Sequence, residues 1–301
     1  MKTIFLRALF CVAAMTFNLS AQQNGINQTM IEETKSKAEQ GDAAAQCDLG
    51  LRYCNGDGVS KDFSEALKWL RKSAEQNNAK AQYNIGVCFE RGEGVDKDLA
   101  EAVSWYRKAA ENGNAKAQSN LGVCYYNGWG VTKDLQEAVA WYQKSANQGH
   151  ARAERNLGVC YAIGAGVDQN LVEAVKWYKK AAEQGDAGAQ YNLGVAYYKG
   201  RGVAKDFVEA VKLFRAAADQ DHAAAKFNLG VCYLNGEGVD VNLVEAYKWI
   251  NLSATQGHAD AKKAFPIVEN QLSPGQISEG QRLAREFKPR QYDVNDGFDS
   301  N

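Results

Sequence analysis

The chain repeats itself six times at a spacing of 36 residues, without an insertion, in segments that begin at Ala43, Ala79, Ala115, Ala151, Ala187 and Ala223. Such a period marks one supersecondary unit stacked in series, each copy burying its apolar face against its neighbours alone. The 301 residues would suffice for two ordinary domains. Repetition overrides that expectation and predicts a single array without a central core.

Each copy divides into two helices. In the copy from Ala79, the residues Ala81, Ile85 and Phe89 keep helical spacing. Gly86 sits among them, where a neighbouring helix must come close. A Gly-x-Gly-Val turn follows, as at Gly92-Gly94 or Gly128-Gly130. Asp62, Asp98, Asp134, Asn170, Asp206 and Asn242 then stand as N-caps, each followed three residues later by a glutamate from Glu65 to Glu245. This spacing predicts a capping box in every copy and gives these acids a structural role. The second helix carries Trp69, Trp105, Trp141, Trp177 and Trp249, with Leu213 in the remaining copy, and then small residues such as Ala181-Ala182. Large rings beside small residues predict interlocking helices, so the tryptophans are read as core. Gly113, Gly149, Gly185 and Gly257 close that helix in the left-handed conformation.

These residues resemble the Sel1-like repeat family, relatives of the tetratricopeptide repeats. The shared pattern is Ala-x-Ala-Gln-x-x-Leu-Gly-x-x-Tyr, Gly-x-Gly-Val-x-x-Asp, Ala-x-x-Trp and Ala-Ala, and it covers residues 43–258. The resemblance implies an all-α fold, a right-handed superhelical solenoid of antiparallel helix pairs, and roles as adaptor or scaffold, often in exported bacterial proteins. A cysteine-rich branch of that family bridges two cysteines per repeat. This chain has mostly one per repeat, so that framework is not carried over.

The expected organisation is a signal peptide over 1–21, an N-terminal capping half-repeat over 22–42, six repeats over 43–258, a degenerate repeat and capping helix over 259–288, and a disordered tail over 289–301. Lys2 and Arg7 accompany an apolar run from Ile4 to Phe17, and cleavage is expected after Ala21. That run is about 14 residues, short of the roughly 20 needed to span a bilayer. Localisation is expected to be exported, periplasmic or secreted, with no membrane span after cleavage. The net charge of −1 gives no electrostatic reason to expect nucleic acid.

Export permits disulfides, and seven cysteines need an account. Cys88, Cys124, Cys160 and Cys232 share one repeat position, where stacked helices stand about 8–10 Å apart. That exceeds the reach of a bridge, roughly 7 Å between Cα atoms. Cys47 and Cys54 lie too far apart along one helix. Buried, unpaired thiols are expected.

Chemistry finds little footing. His150, His222 and His258 occupy one repeat position and do not converge. Ser-x-x-Lys, Ser-Asp-Asn, Lys-Thr-Gly, His-Glu-x-x-His and a phosphate-binding loop do not occur in the sequence. The expectation is a chain that is not an enzyme and holds no cofactor or metal. An exported hydrolase acting on β-lactam or cell-wall substrates, as in some repeat relatives, is the alternative.

Binding is the favoured reading, on the concave face that first helices line in relatives. The candidate residues are Lys80, Lys116 and Arg152 at one position; Tyr83, Tyr191 and Phe227 at another; and Tyr126 and Tyr198 at a third. Asn120 and Asn156 belong to a recurring asparagine, which either presents amides to a peptide or bonds between neighbouring helices. Trp129, between two turn glycines, is either a contact residue or a plug against the next turn. The expected partner is a protein, peptide or envelope polymer, bound by a monomer.

Overall fold

The computed structural model describes residues 29–290; the signal segment and the tail beyond Arg290 lie outside the described residues. The described chain is helical throughout, without strands, in consecutive helix pairs. Helix α1 is described over residues 29–39. The pairs are α2 (Ala43–Asn55) with α3 (Phe63–Glu75), α4 (Ala79–Arg91) with α5 (Leu99–Glu111), α6 (Ala115–Asn127) with α7 (Leu135–Ala146), and α8 (Ala151–Ile163) with α9 (Leu171–Glu183). They continue as α10 (Ala187–Lys199) with α11 (Phe207–Asp219) and α12 (Ala223–Asn235) with α13 (Leu243–Thr255), and end in α14 (Ala259–Glu269) and α15 (Pro274–Glu286). Two compact units are present. One takes in the described chain to Leu121 with Trp129–Val131, the other Gly122–Gly128 and the chain from Thr132.

In the first unit, α2 packs on α3, α3 on α4 and α4 on α5. Gly86 makes the close approach possible, because a Cβ there would lie 2.6 Å from the Tyr106 ring. The second turn glycine fits still more tightly. A Cβ on Gly130 would stand 2.1 Å from the Leu99 carbonyl oxygen, and its φ of +67° already favours glycine. A polar ladder joins successive pairs: Gln82 Nε2 donates to Ala74 O at 3.2 Å, while Gln82 Oε1 accepts from Asn112 Nδ2 at 2.9 Å. These bonds give buried amides their partners, as a dry interface demands.

The second unit repeats the scheme. Gly158, Gly194 and Gly230 lie against Tyr178, Phe214 and Ile250, each within 2.7 Å of a placed Cβ. The ladder glutamine is replaced twice, by buried Glu154 and buried Lys226, the latter paired with Asp221. Beyond the repeats, Ser273 opens α15 with a complete capping box and Pro274 in the first turn. Phe287 meets Trp249 edge to face at 5.2 Å, and the Arg290 N–H donates to Asp219 O at 2.7 Å. Placed chain therefore runs into the first residues of the expected tail.

One expectation needs correction. The N-cap half of the predicted box holds, with Asp98 Oδ1 accepting from the Ala100 and Glu101 amides at 2.9 and 3.0 Å. The glutamates, however, do not complete it at the second helices; Ser273–Gln276 alone shows both bonds among the described helices. Glu101 and Glu245 instead accept from the Trp105 and Trp249 indoles, at 2.8 and 2.9 Å. The reason is reach, since a glutamate and a tryptophan four residues apart share a helix face. The four closing glycines are left-handed as expected, at φ 78° to 93°. Asn77 and Asp221 hold the same conformation at φ 61° and 71° in the two copies that lack a closing glycine, as short polar side chains can.

The tryptophan stripe behaves as core. Trp141, Trp177 and Trp249 are buried and Trp69 and Trp105 half-buried. Lys72, Lys108, Lys144 and Lys180 lie over their rings at 3.8–4.3 Å. Four equivalent contacts of this kind cover the solvent edge of the indoles.

Candidate functional site: clefts along the first helices

The contacts of these glycines with a large side chain press each first helix onto its own second helix, leaving its other side chains to meet those of the next first helix. In the second unit this creates clefts. One encloses about 260 Å³ and is lined by Tyr126 from α6, Tyr142 from α7 and Arg152, Arg155, Asn156 and Cys160 from α8. Three predicted residues thus come together there: Tyr126, Arg152 and Asn156. Arg155, at the repeat position of Tyr83, Tyr191 and Phe227, also lines this cleft and is held by a two-pronged ion pair to Asp186 at 2.9 and 3.1 Å. Asp186 in turn caps α10 through the Ala189 amide at 2.7 Å. Burial pushes the Cys160 thiol up to about 11, so it stays protonated at neutral pH and offers no nucleophile.

A second cleft, about 340 Å³, brings together the predicted Tyr191, Tyr198 and Phe227 with Lys199 and Asn228. Its walls are fixed from behind. His222 stacks on Tyr191 at 4.7 Å and His258 on Phe227 at 5.1 Å. Both histidines also cap helices, accepting from the Ala225 and Ala261 amides at Nδ1. Burial lowers the His222 pKa, which keeps the ring neutral and able to accept that bond. Burial, and then the bond that Tyr198 donates to Glu237 at 2.6 Å, raise the Tyr198 pKa. The stacking role of the histidines was missed in the sequence, where only their helix-start position was legible. A third cleft of about 220 Å³, bounded by Ile163, Tyr178 and Asn192, shares Tyr191 with the second.

In the first unit the prediction fares less evenly. Tyr83 is 3% exposed and lies 5.9 Å from Tyr106, centroid to centroid. It is a core residue and is withdrawn as a contact candidate, whereas Tyr191, at the same repeat position and 6.1 Å from the equivalent ring of Phe214, stays half-buried. Asn120 bonds to the Tyr106 side chain, and Asn228 does the same for Tyr191. The recurring asparagine therefore serves contacts between helices at these two copies. Lys80 and Lys116 are half-buried. Trp129 is 48% exposed, one of the exposed large apolar side chains among the described residues.

The six cysteines among the described residues are unbridged and buried. No cluster of three or more His, Cys, Asp or Glu suited to a metal occurs among the described residues. No described helix is long and apolar enough to cross a membrane.

Helix pairs of one length, glycine-spaced and stacked through a glutamine ladder, define a tandem helical-repeat protein. Residues 43–78, 79–114, 115–150, 151–186, 187–222 and 223–258 each match the Sel1 repeat, and the chain belongs to that family. A crystal structure of c5321, a protective antigen of uropathogenic Escherichia coli with an SLR fold, is 36% identical with a TM-score of 0.75. The match covers 85% of this chain and 56% of that one. A Sel1 repeat protein from Oxalobacter formigenes is 34% identical, with a TM-score of 0.67 over 76% of this chain and 96% of its own. The secretory immunoglobulin A-binding protein EsiB of Escherichia coli O6:H1 is 44% identical over 43 residues, 14% of this chain and 9% of EsiB. Sel1 repeats form a scaffold fold that typically mediates protein interaction.

Proposed function

We propose that this chain is an exported scaffold that binds a protein or peptide partner on its first-helix side chains, without a covalent step. The observation that carries this reading is the meeting of Tyr191, Tyr198 and Phe227 in one cleft. Half-exposed rings held rigid by stacking are the side chains that supply most of the energy at protein interfaces. Arg152 with Tyr126 adds a polar anchor in the neighbouring cleft. Export rests on the charged and apolar pattern of residues 1–21. The name of EsiB, a binder of secretory immunoglobulin A, supports a secreted protein as one partner to try first.

The test uses the chain from Gln22, immobilised beside a variant carrying Arg152→Ala, Tyr191→Ala and Phe227→Ala. Both are exposed to secretory immunoglobulin A and to envelope and culture extracts. Retention by the wild type and loss by a variant of unchanged helicity supports the reading. Equal retention by both removes these clefts from it. Hydrolysis of a chromogenic β-lactam by the wild type would replace binding with the hydrolase alternative.

A further inference from the structure

Cys54 and Cys88 come from adjacent repeats and from different repeat positions, two apart. That offset brings together what equivalent positions keep apart, and the two side chains lie in hydrogen-bonding contact. Both are fully buried, at 1% and 0% exposure, with Cys54 in the last turn of α2 and Cys88 within α4. The other thiols that share the Cys88 position, Cys124, Cys160 and Cys232, have no cysteine two positions later in the preceding repeat: Glu90, Tyr126 and Tyr198 stand there.

We infer that Cys54 and Cys88 form a disulfide that staples the first repeat to the second. The inference extends the export reading, since only an oxidising compartment keeps such a bond. The contact with Cys88, and then burial, hold the Cys54 thiol well above the usual range. The reaction belongs to the still-open chain, in which Cys88 first gives its proton to solvent base. In the folding chain, Cys88 Sγ attacks a small-molecule or carrier disulfide, breaking its S–S bond and expelling one carrier thiolate. Cys54 then gives its proton to solvent base and attacks Cys88 Sγ in the mixed disulfide, releasing the second carrier thiol. The protein dithiol is oxidised by two electrons and one carrier disulfide is reduced. The benefit falls where the array needs it, because the first full repeat has a short capping helix, not another repeat, on its outer side. Repeat two, by contrast, has full repeats on both sides.

The test refolds the chain from Gln22 in a reduced and oxidised glutathione mixture, alkylates free thiols under denaturing conditions and maps peptides by mass spectrometry. The expected result is a Cys54–Cys88 cross-linked peptide, a mass lower by two hydrogens, and four alkylated cysteines. Oxidised wild type melts several degrees above its reduced form, a gain that Cys54→Ser and Cys88→Ser lose and Cys160→Ser keeps. Six alkylated cysteines after oxidative refolding, or Cys54 bonded to another thiol, overturns the inference. Export is judged separately, by fusing residues 1–28 to a reporter that is active only outside the cytoplasm. A bridge formed in vitro with no reporter activity refutes export and leaves the chemical pairing intact.

Discussion

The Cα of Gly86 faces the Tyr106 ring so closely that a methyl group there would lie 2.6 Å from two ring carbons. Gly86→Ala must push a buried ring aside and is expected to cost about 1–3 kcal/mol, as overpacked core sites do. Gly130→Ala is expected to cost more. Its methyl meets the Leu99 carbonyl oxygen at 2.1 Å, and backbone cannot step aside as a side chain can. Gly113 has the same left-handed requirement, at φ +86°, with nothing within 4 Å. Gly113→Ala should lose only the conformational penalty, about 1 kcal/mol. Urea unfolding of the three variants, followed by circular dichroism, gives the order directly; equal losses would refute the packing account.

Glu154 replaces the ladder glutamine at a site only 3% exposed, where burial raises its pKa above the ordinary 4.5. Gln184 Nε2 still donates to it at 2.8 Å. An ionised carboxylate, however, has no N–H to give a carbonyl eight residues earlier, as Gln82 gives Ala74. Because the folded state holds the proton more tightly than the unfolded one, this group favours folding at acid pH. That contribution is lost as pH rises through the raised value. Glu154→Gln restores the missing donor and should stabilise the protein by about 1 kcal/mol at neutral pH. Melting temperatures of both proteins between pH 4 and pH 8 should converge at the acid end. A gap of constant size would mean that titration plays no part.

What the sequence carried best is what recurs. Helix boundaries, the turn glycines and the N-cap acids follow from backbone chemistry that each copy must solve alone, so six copies report it six times. The candidate site was less legible because its residues are the ones that vary. Tyr83, Tyr191 and Phe227 share one position, yet the first is buried against Tyr106 while the other two face a cleft. Repeat position fixes where a side chain starts, and the neighbours decide where it ends. The Cys54–Cys88 contact escaped for a related reason: aligning equivalent positions hides a pair offset by two residues.

The Asp98 cap offers a cleaner energetic test than the tryptophans. Its carboxylate satisfies two amides at the start of α5 and has no further role in the packing described. Asp98→Ala is expected to cost about 1 kcal/mol, and Asp98→Asn, which keeps an acceptor, a fraction of that. Glu101→Gln should leave the cap intact and weaken only the 2.8 Å bond to the Trp105 indole. A loss from Glu101→Gln as large as that from Asp98→Ala would mean that the indole bond holds the start of α5 as firmly as the cap does.

Phe227 and Tyr198 separate a role in binding from a role in holding the cleft. Phe227 is half-buried, stacked on His258 at 5.1 Å, with the rest of its ring open to the cleft. Removing it takes away contact surface, and Phe227→Ala should weaken a cleft-bound partner by about tenfold or more, the scale of an interface anchor. Tyr198 keeps its ring against Phe207 at 5.1 Å and uses its hydroxyl on Glu237, inside the turn. Tyr198→Phe therefore retains the wall but frees the turn, so stability should fall slightly while affinity stays close to that of the wild type. Val208→Ser, at a 68% exposed position on α11, should leave affinity unchanged. Titration calorimetry against the captured partner decides the matter: a Tyr198→Phe loss that matches Phe227→Ala would mean that the partner reads the hydroxyl itself, and that Glu237 competes with it.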